Sequence, residues 1–205
     1  MIGFLGKMQS GKDTSADYIC SKYGYKKMAF AQHLKKSLQE MFGFTYEQMH
    51  DQYKKNSIDS NWGITPRSAM QKVGTDILRH IFSALLFNNN DNIAKNFWVK
   101  RADIYYKETL NDHKGLVIWS DVRFQNEVDY IIKNGGIIIK INRESYSSHE
   151  ESREESREES HKESQHESED INNVDYSICI NNNDTKEALY KHLDYIMENI
   201  NIYKN

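Results

Sequence analysis

The segment from Gly6 to Lys12 constrains the fold of this chain more than any other. It reads Gly-Lys-Met-Gln-Ser-Gly-Lys, follows the apolar segment Ile2–Leu5, which predicts a strand, and leads into a predicted helix over Lys12–Ser21. This spacing fits G-x-x-x-x-G-K, in which loop N–H groups surround phosphate oxygens and the lysine meets the β- and γ-phosphates. A chance glycine turn is the alternative, but the strand–loop–helix context favours a phosphate-binding loop.

The residues after the lysine complete this candidate site. The pattern usually continues with Ser or Thr, whose hydroxyl group binds Mg²⁺, whereas here Asp13 follows the lysine and Thr14 comes next. We expect nucleotide phosphates to be bound by the run Gly6, Lys7, Met8, Gln9, Ser10, Gly11, Lys12, Asp13 and Thr14.

The other apolar segments alternate between strand-like and helix-like patterns. Strands are predicted over residues 2–5, 27–31, 116–120, 136–141 and 176–180, and helices over 12–21, 32–42, 67–87, 94–110, 123–133 and 184–200. This alternation predicts an α/β fold with a parallel sheet and helices on both of its faces. We place the site beyond the carboxyl ends of the strands, where open sheets of this kind bind ligands.

Asp121 ends the apolar segment that begins at Val117. In proteins with a phosphate-binding loop, a carboxylate in this place lies beside the loop and helps to hold Mg²⁺. Asp121 also precedes the predicted helix over residues 123–133, so N-capping of that helix is the alternative role. The two roles are compatible.

Several residues farther along the chain are candidates for binding an acceptor. Arg67 and Gln71 are one helical turn apart and share a face, from which they offer donors to a phosphate and a base edge. Trp98 is a candidate to stack on a base, although its neighbours Phe97 and Val99 are more typical of a core position. Arg123 is suited to neutralising phosphoryl oxygens, and a surface ion pair is the alternative for each arginine.

The acidic charge of the chain is concentrated in one repetitive segment. The net charge is −3, but residues 144–170 alone have a balance of −8, which leaves +5 for the rest. From Glu151 to Asp170 this segment consists of five tetrads that begin Glu-Ser, a composition too polar to form a core. We therefore predict one domain over residues 1–205 with a low-complexity insertion at about 144–170, and a basic body that suits phosphorylated partners.

Other sequence features bear on where the protein works. No run of eighteen apolar residues is present, and the N-terminus lacks the pattern of a signal peptide. Cys20 and Cys179 have neither a metal-binding nor a redox spacing. We expect a cytoplasmic protein that does not bind membranes.

These motifs together resemble the deoxynucleoside monophosphate kinases of phages and large DNA viruses, a branch of the P-loop kinases. That family also carries Gly-Lys-Asp-Thr at the end of the loop, so Asp13 is a family trait. The resemblance continues, in the same order and over most of the chain, in residues 28–31, Met70–Asp76, Phe97–Lys100, Ser120–Glu127 and His166–Glu169.

The resemblance implies a P-loop kinase three-layer sandwich with a five-stranded parallel sheet. It implies transfer of the γ-phosphoryl group of ATP to a deoxynucleoside monophosphate, with Mg²⁺ near Asp13, Thr14 and Asp121. The catalytic residues would be Lys12, Arg67, Asp121 and Arg123. The acceptor would be bound by Arg67, Gln71, Asp76, Trp98, Asp121, Arg123 and Glu127, and some members of the family form homodimers.

The sequence also departs from this family, and other functions remain open. The segment between the helices at Phe42 and Arg67 is shorter than in the family, so the base preference is not transferred. Another small-molecule P-loop kinase, acting on phosphomevalonate or dephospho-coenzyme A, is the nearest alternative. A GTP-binding switch lacks its Asn-Lys-x-Asp motif here, and nucleic-acid binding is disfavoured because the basic residues are spread over several elements.

Overall fold

A computed structural model describes residues 1–81, 93, 95–113, 116–144 and 166–200 of the chain. Two compact units are formed, one from Met1–Ala29 with Tyr105–Asn205 and the other from Phe30–Ile104. The single domain over residues 1–205 remains a prediction, and each of the two units has its own description. Of the predicted insertion, residues 145–165 lie outside the described part of the chain, whereas residues 166–170 lie within it.

The described strands are β1 (Ile2–Leu5), β2 (Lys26–Met28), β3 (Val117–Val122), β4 (Ile137–Asn142) and β5 (Ile178–Asn181). The described α-helices are α1 (Lys12–Tyr23), α2 (Gln32–Phe42), α3 (Tyr46–His50), α4 (Gln52–Lys55), α5 (Pro66–Gln71), α6 (Phe97–His113), α7 (Gln125–Lys133) and α8 (Lys186–Glu198). A π-helix over Lys72–Ile81 continues α5, and a single 3₁₀ turn covers Glu167–Glu169.

The first unit is built on the sheet. Its five strands are all parallel and lie in the order β2-β3-β1-β4-β5. Ile2 of β1 pairs with Ile118 of β3 on one side and with Ile137 of β4 on the other. The five-stranded parallel sheet expected from the sequence is confirmed.

Helices cover both faces of this sheet. Successive residues Ile137, Ile138 and Ile139 are fully buried, as expected for a strand with both faces covered. On one face, β1, β3, β4 and β5 share a core with residues of α1 and α8. On the other face Ile131 of α7 packs so closely over Gly3 that a methyl group added there would lie 2.7 Å from its Cδ1. The predicted layered α/β fold is therefore present in this unit.

The second unit contains the helices α2 to α5, the π-helix and the start of α6. Its core consists of the buried residues Leu34, Leu38, Phe44, Met49, Ala69 and Trp98. Thr65 caps α5 by accepting a hydrogen bond from the Ser68 N–H group, and Pro66 occupies the first turn. The helix predicted over residues 67–87 is thus α5 followed by the π-helix, and residues 82–87 lie outside the described residues.

Within the residues described, none of the helices combines the length and apolar character needed to cross a lipid bilayer.

Candidate active site

The predicted phosphate-binding loop connects β1 to α1 in the first unit. Gly11 has a φ of +108°, and a Cβ atom there would lie 2.6 Å from Asn182 Nδ2. A Cβ atom at Gly6 would collide with the backbone oxygen of Ile141 and lie 2.6 Å from Ser10 Oγ. Both positions therefore require glycine, which is the physical reason for the glycines of the sequence pattern.

Lys12 lies over this loop. Its Nζ atom donates hydrogen bonds to the backbone oxygens of Gly6 and Lys7, each at 2.6 Å. The ammonium group is thus held at the start of the loop, next to the N-terminus of α1, whose dipole favours bound anions. The Lys12 ammonium group and the positive end of the helix dipole therefore lie at the same loop.

Asp13 and Thr14 follow Lys12 in the first turn of α1, and their side chains differ in exposure. The Asp13 side chain is exposed and pairs with Lys27 Nζ of β2 at 2.8 Å, while Asp17 accepts from the same Nζ at 3.0 Å. Burial alone would lower the pKa of Lys27, but the hydrogen bonds to Asp13 and Asp17 outweigh it and raise the pKa. Thr14 is half-buried. The Asp13 carboxylate is therefore already engaged with a lysine.

Asp121 lies inside β3, at the carboxyl edge of the sheet. Its neighbour Val122 is in register with Leu5, the last residue of β1 before the loop. The structure therefore brings Asp121 and the phosphate-binding loop to the same edge of the sheet. The capping alternative is wrong, because the N-cap of α7 is Phe124 rather than Asp121.

The Glu127 side chain binds the backbone of the turn that precedes α7. Its carboxylate is buried, and Oε2 accepts hydrogen bonds from the backbone N–H groups of Arg123 at 2.8 Å and Phe124 at 3.3 Å. These contacts satisfy N–H groups that precede the first helical turn. The sequence places Glu127 among the substrate-binding residues, whereas the structure shows it holding the turn that carries Arg123.

Arg123 is held from a second direction. Its Nη1 atom donates a hydrogen bond to the backbone oxygen of Ser168 at 2.8 Å. Ser168 is buried in the 3₁₀ turn within the last tetrad of the Glu-Ser repeat, and its N–H group donates to His166 Nδ1 at 3.2 Å. The guanidinium group is thus oriented by the backbone of this turn.

Arg67, Gln71 and Asp76 belong to the second unit. Arg67 and Gln71 are buried on α5, and Arg67 Nε donates to Asn56 Oδ1 at 2.6 Å. Asp76 is exposed on the π-helix. The predicted pairing of Arg67 with Gln71 on one helical face is therefore present, with both side chains directed inward.

Trp98 is part of the core of the second unit. It is buried among the apolar residues of α2, α3 and α5, and its Nε1 atom donates to the Gly74 backbone oxygen at 2.8 Å. Phe97 packs edge-on against it. Of the two interpretations of Trp98, the core position is the one that the structure shows, since its N–H group and its ring are both engaged by the unit itself.

The sequence interpretation missed two residues, one in each unit. Arg79 is buried on the π-helix and donates from Nη1 to the Lys95 backbone oxygen at 3.2 Å. It continues a buried polar row at steps of four residues through Arg67, Gln71 and Thr75, and this spacing was a readable signal. Asn182, directly after β5, contacts the phosphate-binding loop through a hydrogen bond that no local pattern predicts.

Comparisons with known proteins identify the family. Residues 44–193 match the family described as Deoxynucleotide monophosphate kinase. A protein of Acanthamoeba polyphaga mimivirus, named "Putative deoxynucleotide monophosphate kinase", is 38% identical over 154 residues, which cover 73% of this chain and 77% of that protein.

Two solved structures align with the chain over most of its length. Shikimate kinase from Aquifex aeolicus has a TM-score of 0.42 and 12% identity, with 98% of each chain covered. Dephospho-CoA kinase from Campylobacter jejuni has a TM-score of 0.41 and 16% identity, with 97% of this chain and 96% of that chain covered. The identification depends on the family match and the viral relative: the chain belongs to the deoxynucleotide monophosphate kinase family.

Proposed function

We propose that the protein transfers the γ-phosphoryl group of ATP to the 5′-phosphate of a deoxynucleoside monophosphate, which gives ADP and a deoxynucleoside diphosphate. The observation that carries this proposal is the geometry of Gly6, Gly11 and Lys12 between β1 and α1. This loop lies outside the segment that matches the family, which begins at residue 44. The loop and the family match are therefore separate lines of support for a nucleotide kinase.

In this proposal the loop binds the triphosphate of ATP. Glycine at positions 6 and 11 avoids collisions with Ile141, Ser10 and Asn182 and so permits the tight loop whose N–H groups would bind phosphate. The N-terminus of α1 supplies a favourable dipole. Lys12 contributes a positive charge at the β- and γ-phosphates. Since the transition state spreads negative charge over phosphoryl oxygens, this charge favours the transition state.

Mg²⁺ would accompany the nucleotide. Among the described residues no group of three or more His, Cys, Asp or Glu side chains forms a metal cage. Mg²⁺ in kinases needs no such cage, because one or two protein oxygens and the substrate phosphates suffice, with water completing its shell. The Asp121 carboxylate and the Thr14 hydroxyl group are donors of the right chemistry, whereas Asp13 would first have to leave Lys27. When bound, the ion neutralises phosphate charge.

The acceptor phosphate would be bound by Arg67, with Gln71 one turn away for the nucleoside part. Arginine suits this role because its planar guanidinium group donates two parallel hydrogen bonds to phosphate. Arg123, oriented by Ser168, would neutralise charge on the phosphate groups during transfer. No strong general base is needed, since the attacking oxygen of a nucleoside monophosphate is already anionic.

A coupled assay of ADP release tests the proposal. We would measure the rate with ATP and Mg²⁺ for each of the four deoxynucleoside and four ribonucleoside monophosphates. The expected result is activity with at least one deoxynucleotide, reduced about 10²–10³-fold in the Lys12→Ala variant. Lys133→Ala is the matched control, because Lys133 is an exposed lysine at the end of α7. Lys12→Ala activity within a few-fold of the parent protein would overturn the scheme.

A further inference from the structure

Asn182 connects the last strand of the sheet to the phosphate-binding loop. Its buried side chain donates a hydrogen bond from Nδ2 to the backbone oxygen of Ser10 at 2.8 Å, across 172 positions of the sequence. Its own backbone N–H group donates to the Asn142 oxygen at 2.7 Å, at the ends of β5 and β4. The side chain therefore reaches the loop from a fixed point on the sheet.

A second observation places the same side chain against the next loop residue. A Cβ atom at Gly11 would lie 2.6 Å from Asn182 Nδ2, closer than non-bonded atoms approach. Gly11 thus has two reasons to be glycine, its φ of +108° and the presence of Asn182. The amide group lies along the Ser10–Gly11 peptide and contacts both residues.

The consequence for the loop follows from the planarity of the peptide bond. In a trans peptide the carbonyl oxygen and the following N–H group point in opposite directions. When Asn182 holds the Ser10 carbonyl group, it also fixes the direction of the Gly11 N–H group. Backbone N–H groups of such a loop are the donors that bind phosphate oxygens.

We infer that Asn182 is a positioning residue for nucleotide binding: it orients the Ser10–Gly11 peptide so that the Gly11 N–H group faces the triphosphate. This inference rests on the proposed function only in that the loop binds ATP. Asn182 acts through the loop rather than through contact with the reacting atoms. Its loss therefore weakens binding of ATP and leaves binding of the acceptor unchanged.

Three variants of the full chain test this role. Asn182→Asp keeps the size of the side chain but replaces the donor with a carboxylate facing the Ser10 oxygen, and Asn182→Ser shortens the side chain beyond reach. The matched control is Asn183→Ala, because Asn183 also bonds a backbone group, the Glu144 N–H group at 2.9 Å, outside the loop. The measurements are the ATP dissociation constant by calorimetry, the KM values of ATP and acceptor, and the melting temperature.

We expect the ATP dissociation constant and the ATP KM to rise about tenfold in both Asn182 variants, which corresponds to one lost hydrogen bond. The acceptor KM and the Asn183→Ala values stay within about twofold of the parent. An ATP dissociation constant within about twofold of the parent in a folded Asn182 variant overturns the inference, even if its melting temperature falls. If Asn182→Asp does not fold, Asn182→Ser decides.

The calorimetric measurement separates this inference from the proposed function. A parent protein that binds ATP but phosphorylates no deoxynucleoside monophosphate overturns the proposed acceptor, and the comparison of ATP affinities still decides the role of Asn182. A parent protein that does not bind ATP overturns both.

Discussion

Arg123 Nη1 lies 2.8 Å from the backbone oxygen of Ser168, which attaches the end of the Glu-Ser repeat to the turn between β3 and α7. Ser168 belongs to the last of the five tetrads, Glu167–Asp170. The His166 ring closes the same 3₁₀ turn by accepting from the Ser168 N–H group. One tetrad of the repeat is therefore part of the candidate site.

We predict that deleting the first tetrad and deleting the last tetrad have different effects. Removing residues 151–154 leaves Ser168 in place and should leave kcat unchanged within about twofold, whereas removing residues 167–170 takes away the carbonyl partner of Arg123 and should lower kcat about tenfold. Both deletions have the same length, so each serves as the control for the other. Equal kcat values in steady-state assays would contradict the prediction.

Arg67 provides a test of the proposed acceptor site. Replacing it with lysine keeps the charge but removes the planar guanidinium fork and its Nε–H group, which donates to Asn56 Oδ1. We expect kcat/KM for the deoxynucleoside monophosphate to fall about 10²-fold while the KM of ATP changes little. Lys72→Gln is the control, since it removes an exposed charge directly after α5. A larger effect on ATP than on the acceptor would show that Arg67 has another role.

Trp98 distinguishes a core role from a base-stacking role. Trp98→Phe removes the N–H group that donates to the Gly74 oxygen, so we expect the free energy of unfolding to fall by about 1–3 kcal/mol, measured in urea. The acceptor KM should stay within about twofold, because the Trp98 ring is buried in the core of the second unit. Base stacking on the indole ring would instead raise the acceptor KM while stability changes little.

Trp62→Phe is the matched control for this measurement. The Trp62 Nε1 atom also donates to a backbone oxygen, that of Phe42 at 2.8 Å, but about half of the Trp62 side chain is exposed. Water therefore replaces the lost hydrogen bond, and we expect a loss of about 0.5 kcal/mol or less.

The sequence predicts those parts of the site that depend on neighbouring residues. The loop before Lys12 is readable because its glycines, its strand and its helix are contiguous, and the pair Arg67 and Gln71 is readable from helical spacing. Asn182 was missed because its hydrogen bond to the loop depends on the sheet placing β5 beside β4. The contacts of Glu127 with the turn before α7 were not predicted, because Glu127 is recognisable as the third residue of the helix only once the structure shows that α7 begins at Gln125.

In the second unit the spacing of the buried polar row is readable from the sequence, but the π-helix that carries part of it is not. Thr75 and Arg79 follow Gln71 at steps of four residues, but the π-helix that carries them has no sequence signature comparable to a capping residue or a glycine turn. Trp98 has an apolar context that fits both a core position and an aromatic platform. Only the contact with Gly74 decides between these roles.

Asp194 connects α8 to α1 and makes the stability of the first unit depend on pH. It accepts hydrogen bonds from the hydroxyl groups of Tyr18 and Tyr23 at 2.8 Å each, and from Lys22 Nζ at 2.8 Å. The bond from Lys22 above all, with those from the tyrosines, lowers the pKa of Asp194. A carboxyl group whose pKa is lowered by folding stabilises the folded protein above its unfolded pKa, which is about 3.9.

We therefore predict that Asp194→Ala lowers the free energy of unfolding by about 1–2 kcal/mol near neutral pH, because the two tyrosine hydroxyl groups lose their acceptor. The difference from the parent protein should stay constant above about pH 5 and shrink as the pH falls below about 4, where the parent carboxylate becomes protonated. Denaturation in urea at a series of pH values measures it. Glu198→Ala, which removes an exposed carboxylate from the same helix, is the control and should show no such step. A difference that grows in acid would mean that the sign assigned to Asp194 is wrong.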